Sequence, residues 1–183
     1  MTPTNSRRGV LKHYERLPLP LQEYFEHLPK LVEQFPWDVP LIYQFARVEL
    51  GHRRALYCGV VKLRHADRSL AWRAVQLQHI SRESFPALFR TVIGCQIDPA
   101  VTDRIQSAET VRDGIMHGKH MPEPRKRDAV VAVLDYSHDL NELVASTVGS
   151  RPFGDLRGFK GRGKSLDKNT SRFLLKGMGF TLA

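Results

Sequence analysis

From Asp98 to Gly118 the sequence is punctuated at both ends, and this stretch constrains the fold more than any other. Asp98 is placed to cap a helix, Pro99 suits its first turn, and Gly118 stands where a left-handed residue would stop it. Between them, at about 100° per residue, Val101, Ile105, Ala108, Val111, Ile115 and Met116 fall on one side. Asp103, Gln106, Ser107, Thr110 and Asp113 fall on the other. An amphipathic helix must bury its apolar side against other elements, so the question becomes what surrounds it.

The surroundings also read as helices. Ile42, Phe45, Ala46, Leu56, Val60 and Leu63 give helical spacing from Leu41 to about His65, and Leu70, Ala74 and Leu77 continue it over Asp67 to Ile80. Ser81 and Ser84 precede a strongly apolar helix from Phe85 to Ile93, with Phe85, Leu88, Phe89 and Val92 on one face and Pro86 tolerated in the first turn. After the basic loop GKHMPEPRKR, Val130, Val133, Leu140 and Val144 predict a helix from about Pro124 to Val148. The run Ala129 to Leu134 alone also suits a strand, but its continuation at helical spacing decides for helix. Residues 1–40 carry prolines at 18, 20, 29, 36 and 40. Within them Leu21 to Phe35 reads as a three-turn helix with Leu21, Phe25, Leu28 and Leu31 as its apolar stripe. The expected architecture is all-α: four main helices over residues 41–148, a Pro-rich helical arm over 1–40, and a basic Gly-rich tail over 149–183. There is no internal repeat.

At 183 residues with 42% hydrophobic content, the chain is long enough to bury a core. Its net charge of +9 favours an anionic partner. Cys58 and Cys95 form no metal or disulfide framework and read as buried thiols, and no apolar run has signal or membrane-spanning length. The reading is a soluble cytoplasmic protein with no membrane partner. The tail holds eight Lys/Arg against two Asp, with Phe153, Phe159, Phe173 and Phe180 interleaved. Cations hold phosphates and rings stack on bases, so the tail is expected to contact RNA. It also contains GFKGRGKS, a Walker A pattern from Gly158 to Ser165. Only eighteen residues follow, too few for the sheet that a P-loop needs. His138-Asp139 evokes a metal-binding pair and His117/His120 a zinc pair, but neither has further ligands in view. His13, His27, His52, His65 and His79 are scattered and read as surface or capping residues.

The chemistry gathers at the end of the punctuated helix. Arg112 projects into its apolar face, where a charge needs a partner. Glu49 is one candidate, unless it pairs with Arg53 at i, i+4. His117 lies five residues after Arg112, so the two side chains converge only if the helix stops, as Gly118 and the softening Gly114 suggest. An arginine and a histidine in one cleft can cleave RNA without metal. The imidazole moves the 2′-hydroxyl or 5′-oxygen proton, the guanidinium clamps the phosphate, and the RNA supplies the nucleophile.

At these residues, RDGIMH from Arg112 to His117, the sequence resembles the HEPN superfamily in its R-x4-H form, over roughly residues 41–148. The resemblance implies a helical bundle, a homodimer with facing motifs, and metal-independent endoribonuclease activity without cofactor, in toxin–antitoxin, defence or RNA-processing systems where an antitoxin or regulatory protein is a partner. The polar position, often asparagine in the family, is Asp113 here. An acid there can orient the histidine or the arginine, and it also repels phosphate. The expected catalytic residues are Arg112, Asp113 and His117. Lys119, His120, Arg157, Lys160, Arg162 and Lys164 are the expected RNA contacts. Some members of the superfamily only bind RNA or protein, which is the alternative function.

Overall fold

The structure is a computed structural model that describes residues 5–81, 84–161 and 163–182. Among these every regular element is a helix: α1 Arg7–Tyr14, α2 Leu19–Tyr24, α3 Leu28–Gln34, α4 Asp38–Lys62, α5 Arg68–Leu77, α6 Ser84–Ile93, α7 Pro99–Met116, α8 Glu123–Val148 and α9 Lys168–Gly177. No described helix is long and apolar enough to cross a membrane. The chain forms two compact units, residues 1–48 with 98–140 and residues 49–97 with 141–183. Helices α4 and α8 each contribute their first part to one unit and their last part to the other.

The first unit takes the N-terminal arm into its core. Helix α1, which periodicity did not suggest, buries Val10 and Tyr14, and Arg7 donates to the carbonyls of Val32 and, at 2.8 Å, Phe35 beyond α3. The expected helix from Leu21 to Phe35 is broken into α2 and α3. Pro29 has no N–H to donate to the Phe25 carbonyl and suits only the first turn of a helix, so a new helix starts at Leu28 and the chain turns at 25–27, with the Leu28 amide donating to the Phe25 carbonyl. Of the expected stripe, Leu21, Phe25 and Leu28 are buried, and Val32 takes the place of Leu31.

The α4 stripe is rotated from the expected one. Leu41, Gln44, Phe45 and Val48 face inward, while Ile42 is 41% exposed and Ala46 is exposed. Gln44 is fully buried and donates through Nε2 to the Val130 carbonyl of α8 at 3.0 Å. Val130, Val133 and Leu140 are wholly buried, as their spacing predicts. His13 meets Asp135 at 2.7 Å, and Lys126 meets Asp38 at 2.5 Å.

The second unit is built around the last part of α4, where Ala55, Leu56, Cys58, Val60 and Val61 are buried. Ser81 and Ser84 cap α6 reciprocally: each backbone amide donates to the other's hydroxyl, at 2.8 and 3.1 Å. Phe85, Leu88, Phe89 and Val92 are buried as expected, but Leu77 of α5 is 53% exposed and Cys95 is only half-buried. Burial pushes the Cys58 thiol up to about 12, so it is inert as a nucleophile. The tail belongs to this core. Phe153 is wholly buried, its N–H donating to Asn141 Oδ1 at 2.9 Å and its carbonyl accepting from Asn141 Nδ2 at 3.3 Å. Leu175 and Phe180 are buried as well.

His52 departs from its expected surface role. Part of the residue reaches solvent, but its ring lies flat on Phe85 with centroids 3.7 Å apart. Burial, with Arg53 beside it, pushes the imidazole down to about 3. The unfolded ring titrates near 6.5, so between these values the unfolded state binds the extra proton, and stability is lost as pH falls below about 6.5. His52→Leu is expected to flatten the decline in unfolding free energy between pH 7 and pH 4, measured by urea titration. An unchanged slope would mean that the folded ring is protonated.

Candidate functional site

Helix α7 begins and ends where its sequence says. Asp98 Oδ1 accepts from the Ala100 amide at 2.7 Å, and Pro99 is the first helical residue. At the other end His117 is the C-cap, its amide bonded to the Asp113 carbonyl at 3.0 Å, and Gly118 adopts φ +67°. The Lys119 amide then reaches back to the Gly114 carbonyl at 2.8 Å, closing the helix end. Gly114 is buried for a reason periodicity did not give: a Cβ there would stand 2.7 Å from Met121 Sδ, so the glycine admits the methionine of the following loop. Met116, expected on the apolar face, is 63% exposed because the helix ends there.

Arg112 is half-buried. Its guanidinium carbon stands 4.8 Å from the centre of the Phe45 ring, and Nε lies 2.9 Å from Asp113 Oδ1. That ion pair is Coulombic rather than a directed hydrogen bond, since Nε is buried without a well-angled acceptor. The partner suggested for Arg112, Glu49, sits 3.9 Å from Arg53 instead. The spacing of Phe45 puts it in the core, where it lies, but nothing in the sequence marks it as the platform for Arg112.

His117 is exposed at the helix cap, and Lys119 and His120 are exposed in the loop after it. The structure therefore brings Arg112 and Asp113 together and leaves the His117 ring in solvent. A groove of about 360 Å³ runs between α7 and α8, lined by Arg104, Ser107, Val111, Arg125, Asp128 and Ala132 among others. Neither Arg112 nor His117 lines it.

The tail cations have separate settings. Arg157 is exposed and holds Asp155 through Nε at 2.5 Å, and Lys160 and Lys164 are exposed. Arg162 lies outside the described residues. The loop carrying them returns to the end of α4, where the Leu166 amide donates to the His65 carbonyl at 2.8 Å. Of the four phenylalanines read as stacking platforms, Phe153 and Phe180 are core, and Phe159 lies against Tyr57 at 5.4 Å with Lys62 over it at 5.3 Å. Only Phe173 stands open, 81% exposed. The Walker-like run has no strand before it, and the helix after it starts at Lys168 behind its own cap, Asp167. Asp139, of the His138-Asp139 pair, is engaged by Arg104. No group of three or more His, Cys, Asp or Glu side chains among the described residues is arranged to hold a metal ion.

No family model, no curated protein and no solved structure matches this chain.

Proposed function

We propose that the protein is a metal-independent endoribonuclease of the HEPN type. The observation that carries this reading is the end of α7, where the helix stops at an exposed histidine cap little more than one turn after a half-buried arginine. His117 takes the proton of a ribose 2′-hydroxyl, O2′ attacks the adjacent phosphorus, and the P–O5′ bond breaks. The leaving O5′ takes up a proton, and the products are a 2′,3′-cyclic phosphate and a 5′-hydroxyl. Arg112 meets the phosphate with the outer nitrogens of its guanidinium, since Nε is turned to Asp113. Lys119 and His120, exposed just after this helix end, hold the strand through its phosphates, and the exposed cations Arg157, Lys160 and Lys164 of the second unit offer phosphate contacts of their own. A homodimer would supply a second copy of the same pair.

A second reading has its own support. Arg112 already lies over the Phe45 ring and is ion-paired with Asp113, and an arginine so held also suits a non-catalytic module that binds RNA or protein. Incubating the protein with mixed single-stranded and structured RNA in excess EDTA separates the two. Fragments ending in cyclic phosphate are expected for the nuclease. Retarded but intact RNA would favour the module.

A further inference from the structure

Two helices of the second unit carry five cations and no acid. Helix α5 presents Arg68 and Arg73, and α9 presents Lys168, Arg172 and Lys176, all exposed. The helices pack together, and the Asp67 amide before α5 donates to Ser171 Oγ on α9 at 2.8 Å. The nearby carboxylates are occupied locally. Asp67 accepts from Ser69 Oγ at 2.6 Å and caps α5, while Asp167 accepts from Thr170 Oγ1 at 2.6 Å and caps α9. These hydrogen bonds, the side-chain one first in each case, hold both carboxyls below their usual range.

On α9 the cations recur every fourth residue, so Lys168, Arg172 and Lys176 form one stripe with steps of about 6 Å along the axis. Phe173 projects beside the stripe, 81% exposed, and Trp72 on α5 is 40% exposed between Arg68 and Arg73 in sequence. The inward face of α9, Ser171 and Leu175, is already buried in the unit. A helix that lies in a membrane surface needs that apolar face for lipid, whereas this one keeps only a ring among charges for its partner. A row of cations with open aromatic faces matches a flexible polyanion whose bases are free to stack.

We infer that the outer face of α5 and α9 is a docking surface for single-stranded RNA, in addition to the loop cations of residues 157–164. The α9 stripe takes the phosphates, and Phe173 stacks on a base. The inference rests on the reading of this protein as one that acts on RNA, but it does not need cleavage.

The test is fluorescence anisotropy with a labelled 2′-O-methyl oligoribonucleotide, which lacks the nucleophilic hydroxyl and so reports binding whether or not the protein cuts. Lys168→Gln/Arg172→Gln/Lys176→Gln is expected to weaken binding and to reduce the slope of log affinity against log salt by about 2. Phe173→Ala should weaken single-strand binding roughly 5- to 150-fold and leave duplex binding unchanged. Phe173 is exposed, so this variant remains informative if the triple variant unfolds. Wild-type affinity and salt slope in both variants would overturn the assignment. So would a wild-type protein that ignores the oligonucleotide but sediments with phosphatidylserine vesicles.

Discussion

Replacing His117 with alanine is expected to slow RNA cleavage by about 10²–10⁴-fold, the range for loss of a positioned proton-transfer group. Its folding free energy should change by no more than about 0.5 kcal/mol. The side chain is exposed and lies beyond the last helical residue, while the backbone bonds that close the helix, His117 N–H to Asp113 and Lys119 N–H to Gly114, are indifferent to the ring. The measurement is single-turnover cleavage alongside urea unfolding. Full activity in His117→Ala would remove the histidine from the mechanism. Arg112 needs a different probe, because alanine would also strip the cation from the Phe45 ring and from the Asp113 carboxylate. Lysine keeps the charge but loses the planar fork, so Arg112→Lys should lower cleavage while RNA binding persists.

The second large effect is structural. Phe153→Ala is expected to cost about 3–5 kcal/mol of unfolding free energy, measured by urea denaturation. The ring is wholly buried and fills the space above Gly51, where a Cβ would stand 2.2 Å from its Cε1. The same contact means that Gly51→Ala cannot be accommodated without moving the ring. A Phe153→Ala protein as stable as wild type would show that the segment after α8 is an accessory, as its composition alone suggests.

That segment illustrates where the sequence was legible and where it was not. Gly-rich, strongly basic stretches usually stay solvated, and nothing local announces that Asn141 will bind both backbone groups of Phe153. The α8 stripe was legible because Val130, Val133, Leu140 and Val144 are all apolar and recur at helical spacing, although Ser137 and Asn141 share their buried face. The α4 stripe was misphased because hydropathy puts Gln44 outside and Ile42 inside, and the fold does the reverse. For the candidate site, the cap, the first proline and the stopping glycine were all readable, since they act on their immediate neighbours. The Phe45 platform was not, because it comes from a helix more than sixty residues away in sequence.

The inward Gln44 has a consequence of its own. Apolar side chains tolerate sliding, since a leucine against a valine is nearly as good one turn along. A hydrogen bond from Gln44 Nε2 to the Val130 carbonyl tolerates little change of distance, because moving α8 outward by an ångström or two would leave the amide buried without its acceptor. In the first unit this buried amide therefore acts as a gauge, setting how far α8 stands from α4 where grease alone would allow some play.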